Sequence, residues 1–174
     1  MKLELEEAIS ILEKTPVILK TYLKGLPENW TKNNEGENTW SPFDIVGHLI
    51  IGEKTDWVVR AEIILADSMD KNFKPFDMVA QFSYSEGKSL DQLLDTFEIL
   101  RIENIIKLRA MAITDKQLLL TGIHPEFGEV SLKELLSTWV VHDLGHIGQI
   151  SRVMAKQYKS EVGPWIKYLG VLKN

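Results

Sequence analysis

The chain has four histidines, and two of them are spaced in a way that indicates chemistry. His142 and His146 stand four positions apart in the run His-Asp-Leu-Gly-His. In a helix this spacing places both imidazoles on one face, one turn apart. Imidazole nitrogens bind zinc, nickel and related divalent ions, so the pair predicts two ligands of one metal site. The alternative is two histidines on an ordinary polar face.

The neighbours of the pair favour the metal site over the polar face. Along the helix, the same face continues through apolar residues and one amide, namely Leu135, Trp139, Gln149 and Val153. This face is expected to point towards the core, where imidazoles without partners are costly. A shared ion would provide that partner.

A third ligand is needed, and two histidines compete for the position. His48 lies in the apolar run Ile45-Val-Gly-His-Leu-Ile-Ile51, which is predicted to be helical. His124 stands before Pro125 in a predicted loop. We favour His48, because rigid helices position a site more accurately than loops do. The alternative for His48 is a hydrogen-bonded histidine of the core.

A site with three histidine ligands predicts catalytic chemistry. Three ligands leave open positions on a divalent ion, as in catalytic rather than closed structural sites. Water bound there becomes more acidic, and a bound thiol loses its proton. The chain has no cysteine, which excludes disulfides, thiolate ligands and a catalytic cysteine of its own. The site therefore suits either hydrolysis or the activation of a thiol from solution.

Metal-bound imidazoles usually donate their second N–H group to a carboxylate or a carbonyl. Four residues near the histidines are candidates for this role: Asp44, Glu53, Asp143 and Gln149. For Asp44 we prefer a role in capping a helix. The sequence leaves the choice among the others open.

Four long helices are predicted to position the histidines, over residues 3–24, 42–66, 90–112 and 132–157. Three of them start with a serine that is followed three residues later by an acid or amide, which is the pattern of a capping box. These pairs are Ser41 with Asp44, Ser89 with Gln92, and Ser131 with Glu134. Pro16 is expected to kink or break the first helix. The pattern predicts an all-α four-helix bundle.

Two connections, 25–40 and 67–88, are long for a simple bundle. We expect them to pack over one end of the bundle, because they carry large apolar side chains: Trp30, Trp40, Phe73, Phe76 and Phe82. The segment 163–168, Gly-Pro-Trp-Ile-Lys-Tyr, is expected either to pack in the same way or to form a dimer contact.

Composition narrows the class of protein. With 174 residues, 44% of them hydrophobic, the chain is expected to form a single globular domain over 1–174. The 20 basic and 25 acidic residues give a net charge of −5, which argues against binding to nucleic acid or to an anionic membrane surface. The acidic start lacks the layout of a signal peptide, so we expect a cytoplasmic protein.

Two segments resemble the motifs of the DinB-like superfamily. The first is Trp40-Ser-Pro-Phe-Asp-Ile-Val-Gly-His-Leu-Ile50. The second joins Pro125-Glu-Phe-Gly-Glu-Val-Ser-Leu132 to Thr138-Trp-Val-Val-His-Asp-Leu-Gly-His-Ile-Gly-Gln-Ile-Ser-Arg152. The resemblance extends over nearly the whole chain and includes the closing Gly163-Pro-Trp165.

The resemblance implies a bundle of up-down-down-up topology, commonly a homodimer, with nickel or zinc on three histidines. The matching positions here are His48, His142 and His146. Relatives include thiol S-transferases, maleylpyruvate isomerases that use a small thiol, and proteins described as metal-dependent hydrolases. Our hypothesis is a metal-dependent enzyme that activates a small thiol for transfer to an electrophilic small molecule. The alternatives are a hydrolase that uses metal-bound water and a non-catalytic metal-binding or small-molecule-binding module.

Overall fold

A computed structural model describes residues 3–173 of the chain. The structure is mainly helical, with one antiparallel hairpin before the last long helix. The helices are α1 (Leu5–Leu12), α2 (Lys14–Leu23), α3 (Glu28–Thr31), α4 (Pro42–Thr55), α5 (Trp57–Leu65), α6 (Ala80–Ser85), α7 (Leu90–Ala110) and α8 (Leu132–Lys156), and the strands are β1 (Thr121–His124) and β2 (Gly128–Ser131). Within 3–173, no helix is both long and apolar enough to cross a membrane.

Four helical columns form a bundle, and two apolar clusters show their directions. The columns are α1 with α2, α4 with α5, α7, and α8. One cluster contains Ile9, Leu12, Trp57, Ala61, Ile105, Leu108, Leu135 and Trp139. The other contains Leu19, Leu23, Ile45, Leu49, Leu93, Phe97, Ile150 and Met154. The first and fourth columns run from the former cluster to the latter, and the two middle columns run the opposite way. This confirms the predicted up-down-down-up bundle.

The three predicted capping boxes are present, and they fix where the long helices begin. The hydroxyls of Ser41, Ser89 and Ser131 each accept a hydrogen bond from the backbone N–H three residues on. The side chains of Asp44, Gln92 and Glu134 each accept one from the backbone N–H of the serine. Each box satisfies two backbone donors that the helix itself leaves free.

The first predicted helix is interrupted at Glu13, three residues before the proline that was expected to break it. Pro16 has no N–H to donate to the carbonyl of Leu12, four residues earlier. Nη1 of Arg101, on α7, donates to that carbonyl instead, at 2.7 Å. The backbone of Glu13 keeps helical dihedral angles (φ −63°, ψ −26°), so the column continues through the interruption.

The second predicted helix is also divided, and this interruption was not predicted. Asp56 separates α4 from α5 and leaves the helical region, with φ −115° and ψ −85°. Asp56 is 7% exposed, and its side chain pairs with Arg60 one turn later. The break thus places an ion pair in the wall of the bundle, close to the histidines.

The long connections pack on the bundle, with one exception among their aromatic residues. Phe73 is buried, and Trp30, Trp40 and Phe76 are half-buried, as expected. Phe82, on the outer side of α6, is 48% exposed, so the prediction was wrong there. His124 was predicted to lie in a loop, but it is the last residue of β1 in a hairpin that was not predicted, and residues 125–127 form the turn.

The tail was expected to pack or to form a dimer contact. It forms 3₁₀ turns over Gly163–Tyr168 and Gly170–Leu172. Trp165 is 68% exposed and Tyr168 is 74% exposed, so in the single chain these two rings are mainly in solvent. Leu172 is the buried residue of this segment.

Candidate metal centre and its cavity

Three histidines from the second and fourth columns converge on one point. His48 comes from α4, and His142 and His146 come from consecutive turns of α8. Nε2 of His142 lies 3.1 Å from Nε2 of His48 and 3.0 Å from Nε2 of His146. The two columns run antiparallel, and a residue midway along α4 faces residues midway along α8. The arrangement brings together the three histidines that the sequence selected.

The spacing of these nitrogens fits ligation of one ion. Zinc–nitrogen bonds are about 2.0–2.1 Å, so two nitrogens on one ion at roughly 90–109° lie about 2.8–3.4 Å apart. The observed separations of 3.0 and 3.1 Å fall within this interval. Among residues 3–173, these three imidazoles are the group of histidine or acidic side chains whose ligand atoms lie close enough together to hold one metal ion.

The protonation of His48 and His146 also fits ligation, because a ligand imidazole must be neutral. Burial and the neighbouring His146 and His142 lower the pKa of His48 to about 3. Burial and His142 lower the pKa of His146 to about 4, although its hydrogen bond to Gln149 acts in the opposite direction. Both side chains are therefore neutral at pH 7, so each ring has one nitrogen with a free lone pair.

The outer nitrogens of the three rings have different partners. Nδ1 of His146 is 2.8 Å from Oε1 of Gln149, so it carries the proton that leaves Nε2 free. Nδ1 of His142 is 4.0 Å from Asp143, which is too far for a hydrogen bond. The Nδ1 atoms of His48 and His142 are buried and have no hydrogen-bond partner among the residues that the structure describes. Among the four candidates for this role, the structure therefore identifies Gln149.

The other candidates have structural partners. Asp44 caps α4, as we preferred. Glu53 and Asp143 both bind Arg101, a residue that was not selected from the sequence. Arg101 is 1% exposed, and its guanidinium lies 4.9 Å from the centre of the Phe97 ring and 5.0 Å from that of Trp139.

Arg101 joins all four columns at one level. Nε and Nη2 donate to Oε1 of Glu53 on α4, at 3.1 and 2.7 Å. Nη1 donates to Asp143 on α8 at 2.6 Å, in addition to the carbonyl of Leu12 on α1. Asn104 donates to the second oxygen of Glu53 at 2.9 Å. We call Arg101, Glu53, Asp143 and Asn104 the polar layer, which lies between the two apolar clusters beside the histidines.

A cavity of about 560 Å³ opens onto the three histidines. Its walls are mainly apolar or aromatic side chains from the two long connections, α5 and the hairpin, with a small number of polar groups. The lining residues are Trp40, His48, Gly52, Asp56, Trp57, Arg60, Pro75, Phe76, Met78, His124, Pro125, Glu126, Phe127, His142 and His146. Such a cavity accommodates a small organic molecule next to the histidines.

His124 belongs to the cavity but lies outside the three-histidine cluster. Its Nδ1 accepts hydrogen bonds from the backbone N–H groups of Glu126 and Phe127, at 3.2 and 3.3 Å. Its ring stacks on Phe127, with 4.5 Å between the centroids. The turn of the hairpin thus holds this histidine at the mouth of the cavity.

The ion pair of Asp56 and Arg60 was missed from the sequence, although both residues line the cavity. Burial raises the pKa of Asp56, and the positive charge of Arg60 only partly offsets this. No pattern in the sequence marks Asp56 as a helix break. Arg101, by contrast, could have been found from the sequence. It stands four residues after Phe97 and four before Ile105, so it is a charged residue on an otherwise apolar helix face.

The family model described as the DinB superfamily matches residues 11–150 of the chain. Among curated proteins, none matches the chain. The matched residues include His48, His142 and His146. The chain therefore belongs to the DinB superfamily.

Two solved structures are similar to this chain in fold. The first is YfiT from Bacillus subtilis, described as a probable metal-dependent hydrolase with an unusual four-helix bundle topology. It is 19% identical, with a TM-score of 0.72 over 91% of each chain. The second is the four-helix bundle protein TT2238, which is 22% identical. It has a TM-score of 0.52 over 84% of this chain and 97% of the other. At these identities the likeness shows the four-helix bundle alone.

Proposed function

We propose that this DinB-superfamily protein is a metal-dependent enzyme that acts on a small molecule, with His48, His142 and His146 as the metal ligands. The observation that supports the proposal is the convergence of three Nε2 atoms beside a cavity of about 560 Å³. Three histidines leave coordination positions open, and the cavity gives a substrate access to them. A divalent ion held there would supply Lewis acidity, which would lower the pKa of a water or thiol bound to it.

The residues of the chain perform the remaining tasks. Gln149 fixes the ring of His146, because its Oε1 accepts a hydrogen bond from the Nδ1–H group of His146. The polar layer fixes α8 against α4, since Asp143 directly follows His142 and binds the same guanidinium as Glu53. Trp40 lies 4.7 Å from His48, centroid to centroid, and shields that ring from bulk solvent. The site is therefore rigid on one side and open to the cavity on the other.

Our first candidate reaction is the transfer of a small thiol to an electrophile. The chain has no cysteine, so the thiol has to come from solution and enter the cavity. The largely apolar walls suit this chemistry, because a thiolate is more nucleophilic when less water surrounds it. The proposal includes nickel or zinc as the metal and a small thiol as the second substrate.

Hydrolysis is the second candidate, and Asp56 is the observation that favours it. This carboxylate lines the cavity, and burial raises its pKa, which suits it to exchange a proton with water. The structurally similar YfiT is described as a probable metal-dependent hydrolase. If a metal on the three histidines bound water, Asp56 in the same cavity would be the carboxylate to take up its proton.

The ligand set is tested by measuring metal per chain after chelation, reloading with nickel or zinc, and desalting. We expect close to one ion per chain in the parent. His142→Ala and His146→Ala should lose tight binding, and His48→Ala should weaken it severely. His124→Ala is the matched control and should keep the metal. Binding that survives in all three ligand variants would refute the site.

The reaction is tested on metal-loaded protein with an activated aryl halide and a panel of small thiols, and separately with an activated ester without thiol. Turnover of the halide that requires both metal and thiol supports S-transfer. Ester turnover that depends on metal and falls in Asp56→Asn supports hydrolysis. If metal is bound and neither reaction exceeds the rate in His142→Ala, the enzyme proposal is refuted and a binding module is favoured.

A further inference from the structure

Arg60 occupies the cavity wall on the hairpin side, between the buried Asp56 and the connection that follows α5. It is 7% exposed and lines the same cavity as the three histidines. Its guanidinium lies over the ring of Phe73, 5.2 Å from the centre. A guanidinium at this depth is costly unless its donors have partners.

The partners of Arg60 in the described chain leave donors unused. Nε faces the carboxylate of Asp56. Nη2 approaches the carbonyl of Lys74 at 3.4 Å, the long limit of a hydrogen bond. Within 3–173, Nη1 donates to no group of the chain. Because Asp56 is engaged through Nε, the outer edge of the guanidinium remains available to a molecule in the cavity.

His124 presents a second donor to the same part of the cavity. Its Nδ1 accepts from two backbone N–H groups, so Nδ1 is unprotonated and Nε2 carries the proton. Within the described residues, this Nε2–H group has no acceptor. The ring of His124 meets the ring of Phe73 edge to face at 6.4 Å, and Phe73 is the ring that Arg60 covers. Arg60 and His124 thus flank one aromatic side chain.

We propose that Arg60 and His124 bind the carboxylate of the substrate, at the part of the cavity where both side chains adjoin Phe73. The inference rests on the proposed function and names the class of substrate: a small carboxylic acid with an apolar body. Trp40, Phe76 and Met78 supply the apolar wall along which that body lies. The carboxylate fixes one end of the molecule, and its reactive end then faces the histidines.

The charges around the cavity favour a monoanion over a phosphate. Asp56 and Glu126 also line the cavity, and their negative charges repel a dianion more strongly than a monoanion. A guanidinium edge matches the two oxygens of a carboxylate. A single arginine next to an acid therefore fits one carboxylate better than a doubly charged group.

Calorimetric titration with benzoate, and with benzamide as its uncharged analogue, tests the proposal on both chelated and metal-loaded protein. In both forms we expect the affinity for benzoate to exceed the affinity for benzamide by about tenfold or more, because the carboxylate accepts charge-assisted hydrogen bonds. Arg60→Gln should remove this preference. Arg109→Gln is the matched control, because Arg109 is exposed and pairs with Glu6 and Glu13 away from the cavity.

Three results would overturn the inference. The preference for benzoate over benzamide could be undiminished in Arg60→Gln, it could be absent in the parent protein, or benzoate could bind only when metal is present. If Arg60→Gln fails to fold, the double variant Asp56→Asn/Arg60→Gln is used, because it leaves no unpaired buried charge. The same loss of preference for benzoate is expected in it. If neither folds, His124→Phe decides, since it should lower benzoate affinity several-fold and leave benzamide unchanged. Metal content is measured separately, so failure of the metal site is distinguishable from failure of this inference.

Discussion

Replacement of Arg101 by methionine should destabilise the protein more than any exposed charge substitution. The guanidinium is 1% exposed and makes hydrogen bonds to Glu53, to Asp143 and to the carbonyl of Leu12. Methionine fills most of the space between Phe97 and Trp139 but offers no donor. The variant therefore leaves two buried carboxylates without their shared cation.

The size of the effect follows from that loss. Breaking a buried ion pair by removing one partner costs about 3–5 kcal/mol, and here two acids lose the same partner. For a chain of this length each 1 kcal/mol lowers the midpoint of thermal unfolding by about 2–4 °C. We expect the midpoint to fall by about 6–20 °C. The loss should be larger at pH 8 than at pH 5, because the abandoned carboxylates can take up protons in acid.

Urea unfolding monitored by circular dichroism at both pH values measures the effect in metal-free protein. Arg109→Met is the control, since its ion pairs are exposed and are worth at most about 1 kcal/mol. The triple variant Glu53→Gln/Arg101→Met/Asp143→Asn removes the stranded charges and should regain part of the loss. If Arg101→Met matches Arg109→Met in stability at pH 8, the polar layer does not hold the columns together.

Two further predictions concern packing and acid. Gly47→Ala should destabilise by about 1–3 kcal/mol in urea unfolding, because the added carbon would lie 2.4 Å from Oγ of Ser85. Gly148→Ala meets nothing within 4 Å and should stabilise by up to about 1 kcal/mol, so equal effects would contradict this packing. Chelated protein should lose stability as pH falls from about 6.5 towards 4, at most about 1.4 kcal/mol per unit for each of His48 and His146. Their pKa values, lowered to about 3 and 4, mean that the unfolded chain takes up protons first, and His48→Gln/His146→Gln should flatten the urea-measured profile.

The features of the fold that depend on local chemistry were predictable from the sequence. The three capping boxes use residues three positions apart, so the starts of α4, α7 and α8 were placed correctly. The i, i+4 histidine pair likewise follows from helix geometry alone. The hairpin was missed because each of its strands has only four residues, too few to show an alternating pattern.

The interruptions of the first two columns depend on contacts between elements. Pro16 indicated a break, but its position reflects the free carbonyl of Leu12, which Arg101 of α7 satisfies. The break at Asp56 depends on its burial beside Arg60, which no spacing in the sequence reveals. Phe82 was expected to be covered, yet α6 turns that side chain to solvent. In each case the structure depends on how one element packs against another, which the local sequence does not show.

The polar layer connects the stability of the bundle with the chemistry proposed for it. Arg101 carries one positive charge against two negative charges on Glu53 and Asp143, so the layer contributes one net negative charge at the buried level of the bundle. Asp143 lies 4.0 Å from Nδ1 of His142, whose Nε2 belongs to the three-histidine cluster. Neutral imidazoles alone do not compensate the charge of a divalent ion in a poorly hydrated place. The excess carboxylate beside His142 lowers that cost, which gives a physical reason for two acids on one arginine. The same residues that fasten the four columns thus favour a cation at the histidines.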